Sequence, residues 1–209
     1  MDLGMWLAFA AASAVLVAIP GPTVLLVAGF ALGEGRRSVP AAAAGVTLGD
    51  LIATSVSLAG MGAVLAASAM LYTSVKWAGA AYLVWLGIKL LRSAPSEGLT
   101  AKTAGREVTA SGVFTHAAVV TALNPKSIAF FIAFVPQFLK PELPLGPQFV
   151  ILIGTFVGLA AVNALAYALL ADRLRESIGR PGIISGLTRM GGATLVGMGI
   201  ATAVLRRPG

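Results

Sequence analysis

The segment AASAVLVAIPGPTVLLVAGFAL, residues 11–32, gives the clearest indication of how this chain folds. It belongs to an apolar run over residues 3–32 that contains no charged side chain, and Pro20, Gly21 and Pro22 interrupt this run. An apolar run of about 20 residues is long enough to cross the hydrocarbon core of a bilayer as a helix. Two prolines remove two backbone N–H donors and clash with the preceding turn. The run therefore predicts a transmembrane helix that is broken inside the membrane.

The composition extends this prediction to the whole chain. Of the 209 residues, 57% are hydrophobic and 11% are charged, whereas an average soluble domain carries about 25% charged residues. The net charge of +7 does not indicate nucleic-acid binding, because the basic residues are scattered through short loops. The chain has no cysteine and one histidine, which excludes disulfides and thiol redox relays and disfavours a transition-metal site. We expect no cofactor and no bound metal.

Five further apolar runs follow the first. They cover about residues 39–71, 75–91, 110–139, 148–171 and 184–205. We interpret residues 70–74 as a short turn and the polar stretch 93–109 as a mobile cytoplasmic loop. Because the chain begins Met1-Asp2-Leu3, without the positive n-region of a signal peptide, the first run is interpreted as a retained helix. The sequence thus predicts an all-α polytopic membrane protein with six transmembrane helices, numbered here as spans one to six, in a single domain over residues 1–209.

The two halves of the chain resemble each other weakly. Span three and span six share five residues at a constant offset of 112, namely Gly79, Leu83, Val84, Gly87 and Ile88 against Gly191, Leu195, Val196, Gly199 and Ile200. The pair Gly45 and Gly49 recurs as Gly154 and Gly158 at an offset of 109, and this spacing also predicts close helix packing. The pattern favours two three-helix repeats, about residues 1–92 and 110–209, which an odd number of spans would place in opposite orientations. Chance similarity among Gly, Ala and Leu residues is the alternative.

The basic residues predict the orientation, because Lys and Arg collect in cytoplasmic loops. Four lie at the opposite ends of the spans: Lys76, Lys140, Arg206 and Arg207. Ten lie in or beside the loops after spans one, three and five: Arg36, Arg37, Lys89, Arg92, Lys102, Arg106, Arg173, Arg175, Arg180 and Arg189. We therefore expect a multi-pass protein of the bacterial cytoplasmic (inner) membrane with periplasmic N- and C-termini. The sequence leaves the oligomeric state open, and a homodimer is one candidate state.

Three features place polar groups deep inside the predicted spans. Pro20-Gly21-Pro22 lies 14 residues before Glu34, or about 21 Å at 1.5 Å per residue. Asn124-Pro125-Lys126 interrupts span four in the same way, and Asp50 lies 11 residues past Val39, about 17 Å into span two. A charge at the bilayer centre costs at least about 2.5–3.5 kcal/mol on insertion scales, so it normally faces a partner or a wet cavity.

The alternatives for these features are structural. The prolines would then be plain kinks, Lys126 would snorkel to an interface, and Asp50 would form a static salt bridge with Lys126. The functional interpretation is a site for an α-amino acid. A half-helix N-terminus and Lys126 suit a carboxylate, Asp50 suits an ammonium group, and protonation of Asp50 would couple transport to the proton gradient.

The predicted substrate and proton pathway therefore involves eight residues: Pro20, Gly21, Pro22, Asp50, Asn124, Pro125, Lys126 and Asn163. Asn163 and Tyr167 lie one turn apart in span five. They are expected to make interhelical hydrogen bonds, with lining of the pathway as the alternative.

These motifs resemble those of the lysine exporter (LysE) family and its homoserine/threonine-resistance (RhtB) branch. The resemblance covers nearly the whole chain. It rests on residues 19–22 (IPGP), 45–50 (GVTLGD), 79–87 (GAAYLVWLG) and 123–126 (LNPK). It implies an amino-acid efflux protein of the bacterial inner membrane that is driven by the proton motive force. It carries over the Pro-Gly-Pro and Asn-Pro-Lys segments, with Asp50, as functional positions.

The substrate is left open by this resemblance, and we favour neutral amino acids such as homoserine, threonine or leucine. A passive channel and a cation or metal-ion exporter are the rival functions. One intramembrane carboxylate and no cysteine would make a poor cation cage. We do not expect an enzyme, because the spans hold no paired carboxylates, Ser/His pair or His-rich motif.

Overall fold

The computed structural model describes residues 1–92, 109–140, 142–171 and 181–204. All regular structure in these residues is helical, which confirms the prediction of an all-α protein. Within them we number eight α-helices: α1 (Leu3–Ala18), α2 (Pro22–Gly33), α3 (Val39–Ala67), α4 (Ala69–Arg92), α5 (Ala110–Ala122), α6 (Pro125–Ala129), α7 (Leu145–Leu169) and α8 (Pro181–Val204). Most of the predicted loop 93–109, Pro141, residues 172–180 and the Arg206-Arg207 pair lie outside the described residues.

Three helical segments of the described chain are long and apolar enough to cross a membrane: Arg36–Val64, Ala110–Phe138 and Leu145–Leu169. A fourth candidate is the pair α1 and α2, which meets the same standard together and is bent by 53° at its break. The helices α4 and α8 are not in this set. The structure thus gives three to four candidate membrane spans where the sequence predicts six.

Both interruptions lie at the predicted proline motifs. The first helix ends at Ala18, Ile19 is extended (φ −66°, ψ 120°), and α2 begins at Pro22. The helix α5 ends at Ala122 and α6 begins at Pro125. Each second half-helix therefore starts with a proline at its first position, where the missing N–H would have had no helical partner.

Beyond α6, span four changes its winding twice. A π-helical turn covers Phe130–Phe134 and a 3₁₀ turn covers Val135–Phe138. The π turn carries two fully buried phenylalanines, Phe130 and Phe131, which pack with Phe9 of α1 and Phe156 of α7. This aromatic cluster packs span four against α1 and α7.

Close packing at glycine joins α3 to α5. A Cβ placed on Gly49 would lie 2.5 Å from the carbonyl oxygen of Ala118 and 2.7 Å from Cβ of Thr121, and Gly45 is equally tight against Phe114. This confirms the packing prediction for Gly45 and Gly49. The same prediction is wrong for Gly154 and Gly158 of α7, because no described atom lies within 4 Å of a Cβ built there.

The helices α4 and α8 pack antiparallel through small residues. A Cβ on Gly87 would lie 2.5 Å from the carbonyl oxygen of Gly192 and 2.7 Å from Cγ2 of Val196. A Cβ on Gly199 would lie 2.8 Å from the carbonyl oxygen of Ala80 and 2.6 Å from Cγ2 of Val84. Glycine, rather than alanine, is therefore required at both positions for this helix separation.

The predicted turn at residues 70–74 is wrong. These residues lie inside α4, and the chain turns instead at Ser68, which is extended (φ −167°, ψ 128°). The Oγ of Ser68 accepts a hydrogen bond from the backbone N–H of Leu71 at 3.3 Å. A serine cap of this kind starts a helix, whereas residues 70–74 contain neither Gly nor Pro to stop one.

Candidate functional site

A narrow cavity lies between the two broken spans and encloses about 450 Å³ of empty space, including its mouth. The helices α3 and α7 close its other sides. Its polar lining consists of Thr23, Asp50, Asn124, Lys126, Ser127 and Asn163. Its apolar lining includes Val24, Val27, Val46, Phe156 and Ala160.

The end of α1 forms one wall of this region and depends on side chains from elsewhere. In a continuous helix, the N–H of residue 20 would bond the carbonyl of Leu16 and that of residue 22 would bond the carbonyl of Ala18. Both positions are proline and have no N–H. Lys126 Nζ donates to the Leu16 carbonyl at 2.9 Å, and the Tyr167 hydroxyl donates to the Ala18 carbonyl at 3.0 Å.

The other two terminal carbonyls of α1 are satisfied in the same manner. Asn163 Nδ2 donates to the carbonyl of Val17 at 2.9 Å, and Lys126 Nζ donates to that of Ile19 at 3.1 Å. Three side chains from α6 and α7 thus replace the four hydrogen bonds that the break removes. The expected interhelical hydrogen bonds of Asn163 and Tyr167 are present, and both bonds end on the broken helix.

Lys126 is held differently from either structural alternative considered for it. Its side chain does not snorkel but reaches the C-terminal end of α1, the negative end of that helix dipole. The one ion pair within 4.0 Å in the described residues joins Lys140 to Asp2, so Lys126 and Asp50 form no direct salt bridge. Two of the three N–H donors of Lys126 are used on α1, which leaves one for another acceptor.

Asp50 is buried in the middle of α3, with 4% of its surface exposed, and it lines the cavity. Thr54 Oγ1 donates to its backbone carbonyl at 2.7 Å, but no donor in the described residues lies within hydrogen-bond distance of its carboxylate. The nearest opposite charge that acts on this carboxylate is Lys126. A buried carboxylate without donors is costly, so it takes up a proton or a cationic partner.

The beginning of α2 offers the complementary chemistry. Its N-cap, Gly21, has no side chain, Pro22 has no N–H, and Leu25 N–H bonds back to the Gly21 carbonyl at 3.0 Å. Among the described residues, nothing accepts from the N–H groups of Thr23 and Val24, and both residues line the cavity. Free N–H groups at the positive end of a helix dipole form a site for an anion such as a carboxylate.

The two breaks are joined by side-chain hydrogen bonds. Asn124 Nδ2 donates to Thr23 Oγ1 at 3.2 Å, and Thr121 Oγ1 donates to the same oxygen at 3.4 Å. The other end of the Asn124 amide, Oδ1, accepts from Lys126 N at 3.1 Å and caps α6. Sequence reasoning missed Thr23 and Thr121. Their positions, one residue after Pro-Gly-Pro and three before Asn124, are the signal by which they could have been found.

Five of the eight residues predicted for the pathway line this one cavity: Gly21, Asp50, Asn124, Lys126 and Asn163. The three prolines do not line it. Pro22 and Pro125 are exposed at the first turns of α2 and α6, and Pro20 is half-buried. The prolines shape the backbone around the cavity, while the polar side chains reach into it.

The chain matches the LysE type translocator family over residues 14–206. It is 35% identical over 207 residues to an uncharacterized membrane protein of Vibrio cholerae serotype O1, which covers 99% of this chain and 100% of the relative. It is 33% identical to the homoserine/homoserine lactone efflux protein of Salmonella typhimurium, over 97% of this chain and 98% of that protein. It is 33% identical over 141 residues to the leucine efflux protein of Enterobacter sp., over 67% and 66% of the two chains. No solved structure matches the chain.

The match reaches from within α1 to beyond α8 and includes both breaks and Asp50. Relatives over the full length are membrane and efflux proteins. This multi-pass membrane protein therefore belongs to the LysE type translocator family.

Proposed function

We propose that this protein exports small neutral amino acids by exchange with protons, and that the cavity between the broken spans binds the substrate. One observation carries the proposal. The buried Asp50, whose carboxylate no described donor satisfies, lines the same cavity as Thr23 and Val24, the residues with free N–H groups at the start of α2. An α-amino acid carries the two charges that these groups would complement.

The polar groups define how the substrate would be held. Its ammonium group pairs with Asp50, and its carboxylate accepts from the N–H groups of Thr23 and Val24. Lys126 contributes its remaining N–H rather than its full ammonium group, because α1 uses the other two. Sequence reasoning assigned the carboxylate to a half-helix N-terminus together with Lys126, and this proposal gives the main contact to the α2 backbone.

The apolar wall supports a neutral substrate side chain. Val24, Val27 and Val46 surround the polar groups, and within the described residues Asp50 is the cavity's one acidic side chain. A second cationic group on the substrate would find no second carboxylate there. Relatives named as homoserine/homoserine lactone and leucine efflux proteins agree with this substrate class.

Proton coupling follows from the single carboxylate. Asp50 binds either a proton or the substrate ammonium, and leaving it empty and charged inside the membrane is costly. Release of one cation outside would therefore require uptake of the other. This alternation gives antiport without any additional proton carrier.

The directions of helix packing support six spans arranged as two inverted repeats. Gly87 contacts Val196, and Gly199 contacts Val84. The offset of 112 in the sequence repeat relates residue 87 to 199 and residue 84 to 196, so it converts each contact into the other. A pair that maps onto itself in this way lies on a pseudo-two-fold axis, and the antiparallel course of α4 and α8 fits an axis in the membrane plane. At about 1.5 Å per residue, 24 residues extend about 36 Å, enough to cross the bilayer.

The distribution of basic residues supports an inner-membrane protein with periplasmic termini. Arg36 and Arg37 follow α2, and Lys89 and Arg92 end α4. Asp2 and Lys140, which form an ion pair at 3.0 Å, lie at the opposite ends of spans one and four. The Lys and Arg bias places the first set in the cytoplasm.

Transport by purified protein in proteoliposomes tests the proposal. Vesicles loaded with labelled homoserine, threonine or leucine are given an inward proton gradient, and efflux should be fast, abolished by an uncoupler and lost in Asp50→Asn. Ser57→Ala, another buried polar residue of α3, is the matched control and should transport normally. Efflux at the same rate with and without the proton gradient would indicate a channel. Normal transport by both Asp50→Asn and Lys126→Ala would rule out the proposed site.

A further inference from the structure

We infer that the broken end of α1 is a monovalent-cation site whose permanent occupant is the ammonium group of Lys126. The carbonyl oxygens of Leu16 and Ile19 accept from Nζ at 2.9 and 3.1 Å. Asp50 lines the same cavity and is the acidic group that acts on Lys126. The site is therefore built from neutral carbonyl oxygens at the negative end of a helix dipole, beside the cavity that the buried Asp50 carboxylate lines.

The chemistry of this site suits a small cation and little else. Backbone carbonyls at a half-helix C-terminus are the groups that bind Na⁺ in membrane transporters with broken helices. Here the prolines at positions 20 and 22 free two carbonyls, at Leu16 and Ala18. Tyr167 satisfies the Ala18 carbonyl with a neutral hydroxyl, whereas the Leu16 carbonyl receives a charged donor.

Gly21 lies close to the ammonium group of Lys126. A Cβ built on Gly21 would lie 3.5 Å from Nζ and 3.8 Å from Cε of Lys126. These are ordinary van der Waals distances, so Gly21 lies beside the end of the lysine side chain with room for a methyl group. The change Lys126→Ala would remove the side chain from Cγ to Nζ and leave its space beside the carbonyl oxygens of Leu16 and Ile19.

This makes Lys126 a positioning residue that acts through α1, and its role in transport rests on the proposed function. A cation tethered to α6 holds the break in α1 and cannot diffuse away. We therefore expect the wild-type protein to need neither Na⁺ nor K⁺. Without the lysine, the same site should become dependent on a free cation.

The decisive variant is Lys126→Ala, purified in choline medium and titrated with methylammonium, Na⁺ or K⁺. A ligand that binds only the folded state stabilises it by RT ln(1 + [L]/Kd), so the melting temperature rises with ligand concentration. We expect such a rise with methylammonium or Na⁺ in Lys126→Ala and none in the wild type. Lys126→Met, which fills the space with an uncharged chain, is the matched control and should show no rise. If none of the three cations changes the melting temperature of Lys126→Ala, the inference is overturned.

A second variant tests the inference if Lys126→Ala does not fold. The chain has no cysteine, so Lys126→Cys places a unique thiol at this position. Its thiolate displaces bromide from 2-bromoethylamine, which rebuilds a lysine-length ammonium, whereas iodoacetamide gives a neutral adduct. We expect the aminoethylated protein to recover most of the lost stability and the amide adduct to recover little. Equal recovery by the two adducts overturns the inference.

Transport separates this inference from the proposed function. In proteoliposomes, Lys126→Ala should export at least about tenfold more slowly in choline, which is a barrier change of about 1.4 kcal/mol, and methylammonium or Na⁺ should restore the rate severalfold. If the wild type exports no amino acid, the proposed function fails. The cation-dependent melting of Lys126→Ala still decides whether the site binds a cation.

Discussion

Asn124 Nδ2 donates to Thr23 Oγ1 at 3.2 Å, so the two broken spans are hydrogen-bonded to each other at their breaks. The same asparagine caps α6 through its Oδ1. One side chain therefore starts a half-helix in one span and fixes that half-helix to the other span. Any movement that opens the cavity between the spans must either break this hydrogen bond or move the two bonded residues together.

Asn124→Ala should be more destabilising than Thr23→Val, because the first change removes the cap and the link and the second removes the link alone. Loss of an asparagine N-cap costs about 1 kcal/mol, and loss of a hydrogen bond costs about 1 kcal/mol more. Thermal unfolding of the detergent-solubilised variants measures both effects. Equal melting temperatures would show that the cap contributes nothing.

Tyr167→Phe should destabilise the protein although it removes a single oxygen atom. The change leaves the Ala18 carbonyl without a donor, since Pro22 cannot supply one. Inside a membrane water does not reach such an acceptor, and leaving it unsatisfied costs about 1–3 kcal/mol. Tyr82→Phe in α4 provides the comparison, because no described residue hydrogen-bonds the Tyr82 hydroxyl. Unfolding in denaturant measures both variants, and a smaller loss for Tyr167→Phe than for Tyr82→Phe would contradict the assigned capping role.

Gly49→Ala and Gly158→Ala should have opposite effects. A methyl group on Gly49 meets the Ala118 carbonyl at 2.5 Å, whereas nothing described lies within 4 Å of one on Gly158. Overpacking costs about 1–3 kcal/mol, while Gly→Ala in an open helix position gains up to about 1 kcal/mol. The melting temperature should fall for the first variant and hold or rise for the second. A fall for Gly158→Ala would reveal a contact that this face makes elsewhere, such as with a second copy of the chain.

The difference between these two glycine pairs shows where sequence reasoning stops. The spacing Gly-x-x-x-Gly is identical in α3 and α7, and it predicts packing for both, but only the tertiary structure assigns α5 to the first pair. The proline breaks were predictable because proline acts on its own backbone. The donors that reach the orphaned carbonyls were not, because Lys126 and Leu16 are separated by 110 residues and their meeting depends on the packing of whole helices.

Asp2 should give the protein a pH-dependent increment of stability. The backbone N–H of Met5 and then the Lys140 ammonium hold the pKa of Asp2 below its usual 3.8. A group with a lowered folded-state pKa stabilises the fold fully above its unfolded pKa, and this contribution is lost as the pH falls through the folded value. Asp2→Asn should therefore melt slightly lower than the wild type at pH 7, and this difference should shrink as the pH falls below 3.8. Lys140→Ala should retain part of this pH dependence, because the Met5 N–H is the largest single cause of the lowered pKa; complete loss would assign it to the ion pair instead.

Gly87→Ala and Gly199→Ala should destabilise the protein by comparable amounts, because each new methyl group meets the opposite helix at 2.5–2.8 Å. Each single change is expected to cost about 1–3 kcal/mol. Both changes push α4 and α8 apart, so the double variant should lose less than the sum of the single losses, as neighbouring sites do when they share one adjustment. Gly197→Ala, which has nothing within 4 Å of its Cβ, is the control and should not lower the melting temperature. Calorimetric or denaturant unfolding of the four variants measures this coupling. If one glycine is essential and the other is freely replaced, the α4–α8 contact is not reciprocal, and the argument for two inverted halves loses its structural support.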